Sequence, residues 1–228
     1  MNNRMRFVAV NGSERADGNT SELLAHAAEV LDARGVDLDV INLAEYRLTG
    51  CGPCGDCNAR TEPCVLVGDD LPALVDRMTL ADGVILAAPV HGFGLCTTMQ
   101  AFIERAGVGY LRFQRPLTNK VGGVIVVGRR YSHTEVYHQL VDNVLLNRMV
   151  MVGAGFPAIL YGNHRGEAVR DEEGVEMMDR MLVRMAAMAR VLAEHREFTG
   201  RDVLEVDQDN ERDDRWFARR YDTAKATA

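Results

Sequence analysis

Hydrophobic residues along the chain follow two kinds of pattern, one typical of strands and one typical of helices. Nearly continuous apolar runs at residues 6–11, 83–88 and 120–127 predict strands that are covered on both faces of a sheet. Residues 36–43 alternate apolar and polar positions, which is typical of a half-buried strand. Residues 149–152 predict a last, short strand, so the pattern indicates five strands.

Segments with apolar residues at helical spacing separate these strands. The predicted helices cover residues 20–34, 69–80, 98–106, 134–147 and 172–194. Strands that alternate with helices form a parallel sheet with helices on both faces, which is an α/β fold. Because crossovers between parallel strands are right-handed, few topologies remain, and the strand count favours a flavodoxin-like sheet of order 2-1-3-4-5.

The pattern predicts one main domain at residues 1–197, with a cysteine-rich segment at residues 49–68 after the second strand. We call this segment the cysteine loop. Residues 198–228 are predicted to form an acidic C-terminal extension beyond the core. Trp216 and Phe217 stand in this polar extension and favour docking onto a partner subunit, because aromatic residues are enriched at interfaces. A disordered tail is the alternative.

Composition narrows the class of protein. The chain has 228 residues and a formal net charge of −7, which weighs against nucleic-acid binding because that activity normally needs a basic patch. No apolar run approaches the roughly 18 residues of a membrane span, and the first residues lack the apolar stretch of a secretory signal. We therefore expect a cytoplasmic protein without membrane contact. Its thiols then serve as ligands, nucleophiles or core residues rather than as disulfides.

Candidate chemistry begins in the loop after the first strand, Gly-Ser-Glu-Arg-Ala-Asp-Gly-Asn-Thr-Ser at residues 12–21. In open α/β sheets, ligands bind at the carboxyl ends of the strands, and a helix N-terminus offers free N–H groups to a phosphate. The candidate phosphate-binding residues are Ser13, Arg15, Asn19, Thr20 and Ser21. The loop lacks G-x-G-x-x-G and G-x-x-x-x-G-K-[ST], which disfavours dinucleotide and NTPase sites. A plain loop whose polar residues only cap the helix is the alternative.

This loop, read as G-S-x-R-x-x-G-N-T-S, resembles the phosphate loop of the flavodoxin-like NADPH-dependent FMN reductase family. Residues 81–92, A-D-G-V-I-L-A-A-P-V-H-G, resemble the strand and flavin loop of that family. Residues 98–105, T-M-Q-A-F-I-E-R, resemble the start of its next helix. The three motifs follow the family order, and the resemblance covers most of residues 6–155.

The resemblance implies FMN as the cofactor and NAD(P)H as the co-substrate, with the flavin phosphate on residues 13–21. It places the flavin ring against residues 89–94 and 127–133. The implied ring-binding residues are Pro89, Val90, His91, Gly92, Phe93, Gly128 and Arg129.

The sequence also departs from the family pattern. His91 stands where the family usually has tyrosine, and Gln100 stands where it usually has lysine. Arg129, Arg130 and His133 follow the fourth strand in place of paired glycines. These three residues either hold the flavin edge or a nicotinamide phosphate, or they are solvated surface charge.

Four cysteines form a second candidate site in the cysteine loop: Cys51, Cys54, Cys57 and Cys64. Intervals of two residues, with Gly and Pro between them, allow tight turns that gather sulfurs in one hollow and match iron–sulfur ligation. Structural zinc and a redox-active C-x-x-C pair are the alternatives. Cys96 is remote in sequence from the others and fits a small buried hydrophobic residue.

Together with the flavin loops, these cysteines resemble the iron–sulfur flavoprotein branch of the family, whose signature is C-x2-C-x2-C and a fourth cysteine. That resemblance implies a [4Fe–4S] cluster; the alternative is a relic loop without one.

Two hypotheses for function follow. The first is a flavin-dependent oxidoreductase that passes electrons from NAD(P)H or another donor to a flavin, a quinone or a one-electron acceptor. The second is a non-enzymatic electron-transfer or redox-sensing flavoprotein, with the cysteine loop empty or holding zinc. The expected partners are a small-molecule substrate or a redox partner protein, and a homodimer or homotetramer is the expected assembly.

Overall fold

The computed structural model describes residues 4–54, 64, 66, 68–111 and 115–204. Within these ranges the strands are β1 (Met5–Asn11), β2 (Val36–Asn42), β3 (Gly83–His91), β4 (Gly94–Leu95), β5 (Val121–Gly128), β6 (Val150–Met151) and β7 (Ala158–Tyr161). The α-helices are α1 (Asn19–Asp32), α2 (Leu71–Thr79), α3 (Thr97–Ile103), α4 (His133–Leu146) and α5 (Glu172–Thr199). Short 3-10 turns at Leu43–Glu45 and Ala168–Arg170, and a π-helical segment at Glu104–Leu111 that continues α3, complete the elements.

The strand order is β2-β1-β3-β5-β6, and every pair along this path is parallel. The flavodoxin-like topology predicted from the sequence is therefore confirmed, although the described residues contain seven strands instead of five. One added strand, β4, forms a short antiparallel hairpin with the end of β3. The other results from a break in the fifth strand.

This fifth strand pairs with β5 in two separate pieces. Val150 of β6 lies opposite Val121, and Ala158 of β7 lies opposite Ile125. The chain leaves the sheet between the two pieces, at residues 152–157, which contain two glycines and a proline. The prediction of a last strand at 149–152 found β6 and missed β7, because a four-residue apolar run after Gly and Pro is too short to predict a strand.

The helices cover both faces of the sheet, as predicted. On one face α1 and α5 bury apolar residues that include Phe7, Ile85 and Met185. On the other face α2, α3 and α4 surround a second cluster that includes Val84 and Phe102. β3 and β5 contribute to both clusters, and this explains why their sequences are continuously apolar.

The C-terminal boundary differs from the prediction. α5 continues through residue 197 to Thr199 and ends at Gly200, whose φ of 69° is the left-handed geometry that commonly terminates helices. The side-chain amide of Asn119 donates to the carbonyl of Leu204 at 2.9 Å, which ties the segment after the helix to the core. The remainder of the predicted extension, 205–228, lies outside the described residues. In the part of the chain that is described, no helix is long and apolar enough to cross a bilayer.

Gly83 lies where β1, β3 and β5 pack closely, and a Cβ there would lie 2.6 Å from Cγ2 of Val121 and 2.8 Å from Cε1 of Phe7. We expect Gly83→Ala to lower the free energy of unfolding by about 1–3 kcal/mol, because the added methyl overpacks the core. Gly153→Ala is the control, since a Cβ at Gly153 has nothing within 4 Å. Urea unfolding compares the two variants, and equal stabilities would contradict this account of the packing.

Candidate functional site

A pocket of about 190 Å³ lies at the carboxyl ends of β1, β3, β5 and β7. Parallel strands end at the same edge of a sheet, so the four connections that follow them meet there. The lining residues are Ser13, Arg15, Gly18, Asn19, Thr20, Pro89, Val90, His91, Val127, Gly128, Arg129, Gly162 and Asn163.

The first wall of the pocket is the loop between β1 and α1, and Asn11 fixes its start. Asn11 is the last residue of β1 and is 1% exposed. Its amide nitrogen donates to Oγ of Ser21 at 3.1 Å and to Oδ1 of Asn42 at 3.0 Å. Its amide oxygen accepts the N–H of Ser13 at 2.9 Å. One buried side chain therefore joins β1, the end of β2, the loop and α1.

Beyond Ser13 the loop coils tightly on itself. Oγ of Ser13 lies 3.2 Å from both the amide nitrogen and the carbonyl oxygen of Arg15. The N–H of Gly18 donates to the same carbonyl at 3.3 Å, and a Cβ at Gly18 would lie 3.2 Å from Cβ of Arg15. Glycine at position 18 therefore permits the close return of the chain.

This coil directs the N-terminus of α1 into the pocket. Gly18 is the N-cap of α1, and because it has no side chain it cannot cap the N–H groups of the first turn. By α-helix geometry, the first N–H groups, those of Asn19, Thr20 and Ser21, have no acceptor inside the helix. Free N–H groups, the positive end of the helix dipole and the exposed Arg15 together form a donor set that suits a phosphate.

The opposite wall is residues 162–168, which we call the strap. The side-chain amide of Asn19 donates to the carbonyl of His164 at 3.0 Å and accepts the N–H of Ala168 at 3.4 Å. The guanidinium of Arg165 binds Asp17 at 2.8 Å and Glu22 at 3.2 Å. The Asn19 side chain thus holds the strap against the loop, and its backbone N–H is the group left to face a ligand.

Most of the predicted cofactor-binding residues line this pocket, with three exceptions: Ser21, Gly92 and Phe93. The Ser21 hydroxyl lies behind the loop, where it accepts from Asn11 and contacts the carbonyl of Arg15 at 3.4 Å. Gly92 and Phe93 form the turn between β3 and β4, with φ of 53° and 66°.

Four lining residues were not named among the predicted cofactor-binding residues: Gly18, Val127, Gly162 and Asn163. Gly18 and Val127 fall within the predicted ranges 13–21 and 127–133, whereas Gly162 and Asn163 lie outside them. The sequence does contain a signal for Gly18, because a glycine just before a helix in such a loop indicates that another part of the chain or a ligand comes close to its backbone. The N–H of Gly162 donates to the carbonyl of Gly128 at 2.9 Å, which places residues 162–163 beside the end of β5. No local signal marks these two residues, because their position depends on β7.

The cysteine loop is described only in part. Cys51 and Cys54 are exposed, Cys64 is half-buried, and Cys57 lies outside the described residues. Among the described residues, no group of three or more potential ligands is gathered to hold a metal ion. The four thiols suit an iron–sulfur cluster in chemistry and spacing.

The base of the cysteine loop is organised by Arg105, which is 2% exposed. Its guanidinium donates to the carbonyls of Thr49 at 2.9 Å and Leu66 at 3.0 Å, and it forms an ion pair with Asp69. It also hydrogen-bonds Cys64. Arg105 therefore joins the two flanks of the loop.

Charge pairing outweighs burial at this position. Burial opposes ionisation of both groups, but the hydrogen bond from Arg105 and that from the N–H of Thr49 hold the pKa of Asp69 below its ordinary value. Burial likewise opposes the charge of Arg105, yet Asp69 and Cys64 raise its pKa. Both side chains are therefore charged at neutral pH.

Cys96 is separate from the cysteine loop. Its thiol is buried and donates to the carbonyl of Gly12 at 3.1 Å. Burial raises the pKa of Cys96 to about 11, so the thiol stays protonated at neutral pH. The prediction that Cys96 is a buried packing residue is confirmed.

The chain is similar to a family of flavin enzymes and to individual proteins of known sequence. The model of the family described as NADPH-dependent FMN reductase matches residues 5–164. An iron–sulfur flavoprotein of Methanocaldococcus jannaschii is 28% identical over 195 residues, which cover 82% of this chain and 99% of the relative. An iron–sulfur flavoprotein of Archaeoglobus fulgidus is 35% identical over 125 residues, which cover 54% of each chain.

A solved structure adds evidence on the fold. RosB with bound 8-demethyl-8-formylriboflavin-5'-phosphate is similar to this chain with a TM-score of 0.66 and 16% identity, and the match covers 90% of this chain and 91% of RosB. At this identity the likeness supports the fold alone.

We expect Arg105→Gln to lower the free energy of unfolding by about 3–5 kcal/mol, because it leaves the Asp69 carboxylate buried without its cation. Arg77→Gln is the control: Arg77 pairs with Asp39 at 2.6 Å, with both side chains about a quarter exposed. Loss of that pair should cost roughly 1 kcal/mol. Equal losses in urea unfolding would show that Arg105 is no more important than a surface ion pair.

Proposed function

Because the chain belongs to the family of NADPH-dependent FMN reductases, we propose that its pocket binds FMN and that it passes electrons from NAD(P)H to a second flavin, a quinone or a one-electron acceptor. Family membership confirms the prediction of an oxidoreductase that uses FMN and NAD(P)H. The acceptor, the cluster and the residue assignments are what we propose here.

The observation that carries the flavin assignment is the donor set at one end of the pocket. The residues that supply the N–H groups at the start of α1 and the Arg15 guanidinium line the same space, and none of these groups brings negative charge. A phosphate binds where N–H donors and a guanidinium converge. The strap closes the other side of this space through Asn19 and Asn163.

Away from the phosphate end, the pocket lining is largely apolar. Pro89, Val90 and Val127 lie at the ends of β3 and β5, with His91 and Arg129 at the exposed rim. Apolar walls beside a polar rim suit a flat aromatic ring whose edge carries polar atoms. Bound FMN supplies hydride acceptance from NAD(P)H and electron transfer to an acceptor. The exposed Arg129 offers a cation to the anionic part of the nicotinamide donor.

We further propose that Cys51, Cys54, Cys57 and Cys64 hold a [4Fe–4S] cluster. Two observations support it: the spacing of the four thiols, and the names of the relatives in M. jannaschii and A. fulgidus. Arg105 supports it structurally, because it binds Thr49 and Leu66, which lie two residues from Cys51 and Cys64, and so brings the two flanks of the loop together. A cluster would let a two-electron donor serve one-electron acceptors. Zinc or an empty loop are the competing outcomes.

A homodimer or homotetramer also remains a proposal. Phe93 is 74% exposed and Tyr131 is 62% exposed, and their ring centroids lie 6.1 Å apart. Each stands two residues after a residue that lines the pocket, His91 and Arg129 respectively. Exposed aromatic pairs of this kind are common at subunit contacts. A cytoplasmic location and the lack of nucleic-acid binding remain predictions from the sequence.

We expect Arg15→Glu to weaken FMN binding by at least about tenfold, because it places negative charge beside the phosphate. Riboflavin, which lacks the phosphate, should bind the variant about as well as the unaltered protein. Arg184→Glu makes the same charge change at an exposed position on α5 and should leave FMN binding unchanged. Flavin fluorescence titration measures the affinity of the unaltered protein and of both variants for FMN and for riboflavin. If Arg15→Glu lost affinity for FMN and riboflavin equally, the phosphate would have to bind elsewhere.

Anaerobically purified protein should contain about four iron and four sulfide per chain. We expect Cys54→Ser to lose most of both and to keep its FMN and its NAD(P)H oxidation with added quinone, because the flavin pocket does not use this residue. Cys96→Ser is the matched control and should keep iron, sulfide and flavin. Metal and sulfide analysis, with steady-state NAD(P)H oxidation, provides the test. Zinc without sulfide would contradict the cluster, and no turnover with any acceptor would contradict the reductase.

A further inference from the structure

His133, the first residue of α4, is a buried polar side chain with an unsatisfied nitrogen. The residue is 4% exposed, and its Nε2 has no hydrogen-bond partner in the part of the chain that the structure describes. A buried nitrogen without a partner is destabilising, so native structures rarely retain one unless it has a role or binds something. The surroundings of Nε2 therefore indicate what it could bind.

The imidazole is held against the ends of three strands. A Cβ at Gly128, the last residue of β5, would lie 3.0 Å from Nε2 of His133 and 3.1 Å from Cβ of Val90. On another side the ring packs on Tyr161 at the end of β7, with ring centroids 4.6 Å apart. The ring is therefore fixed in place by packing, and the absence of a side chain at Gly128 gives it room.

These neighbours belong to the wall of the flavin pocket or adjoin it. Val90 and Gly128 line the pocket, and Tyr161 directly precedes the lining residue Gly162. The chain from Gly128 to His133 passes through Arg129, which also lines the pocket. The unsatisfied nitrogen thus lies against Gly128 and close to Val90, in the part of the wall that the apolar residues assign to the flavin ring.

We propose that His133 is a positioning residue of the flavin site, whose Nε2 hydrogen-bonds a polar atom on the edge of the bound flavin ring, directly or through one water. This inference rests on the proposed FMN site and deepens it, because it decides between the roles that the sequence left open for His133 and names the atom that makes the contact. A histidine that serves only to fill the core would have no effect on the flavin.

Four variants separate these two roles. Gln places its amide nitrogen near the position of Nε2 of histidine, whereas Asn is too short and Leu cannot form the hydrogen bond. We expect His133→Leu and His133→Asn to bind FMN about tenfold more weakly, the factor expected for one lost hydrogen bond, and His133→Gln to bind within about threefold of the unaltered protein. His138→Leu, at an exposed position of the same helix, is the control and should bind normally.

Fluorescence titration of the apoprotein with FMN, the visible spectrum of the bound flavin and the thermal stability of the apoprotein are measured for each variant. The expected result is that H133L is at least as stable as the unaltered apoprotein, because the unsatisfied nitrogen is removed, yet binds FMN more weakly and shifts the flavin bands. Stabilisation with unchanged FMN affinity and spectrum would overturn the proposal and assign His133 to the core. If H133L does not fold, H133Q and H133N give the same comparison.

The same FMN-binding measurements distinguish a wrong role for His133 from a wrong flavin site. If the unaltered protein takes up no FMN, the flavin site itself is wrong. If the unaltered protein and all four variants bind FMN equally, the flavin site stands and the role of His133 is wrong.

Discussion

The site depends on the Asn11 side chain. β1 has to end, turn and enter α1 within a few residues, and the start of α1 has to keep its N–H groups free for a ligand. Asn11 makes this possible because it holds Ser13, Ser21 and Asn42 at once from a buried position. The N–H groups of Ser13, Arg15 and Gly18 are used within the loop and its anchor, so the N–H groups at the start of α1 are the ones that remain for a ligand. A buried network of this kind is rigid when all its members are paired.

A second close contact links the loop between β1 and α1 to α3, the helix that follows the β3–β4 hairpin. A Cβ at Gly12 would lie 2.7 Å from Cβ of Met99 and 2.9 Å from Sγ of Cys96, so only glycine fits between β1 and the start of α3. The thiol of Cys96 donates to the Gly12 carbonyl across this contact. The walls of the pocket on the β1 and β3 sides are therefore fixed relative to each other before any ligand binds, which reduces the entropy lost on binding.

Sequence patterns predicted the fold and most of the pocket because the information is local there. The apolar runs of β1, β3 and β5 and the polar loop at 12–21 are each legible within about ten residues. Residues 162–163 were missed because they are placed by β7, whose pairing with β5 depends on tertiary structure. Asn19 was read as a phosphate ligand because its amide suits that role, and only the fold shows that the strap uses it. Arg105 was visible within a helix motif, but its partners lie far away in sequence.

The contacts of Arg105 with both flanks of the cysteine loop affect the entropy of the chain between them. Because its guanidinium binds Thr49 and Leu66 together, the segment between them leaves and rejoins the core at nearly the same place. Closure entropy grows slowly with loop length, by about 0.6 kcal/mol for each doubling. Insertions or deletions between the anchors would therefore change the stability of the sheet very little. The sheet and the pocket at its edge therefore depend on the two anchors and not on the length of the chain between them.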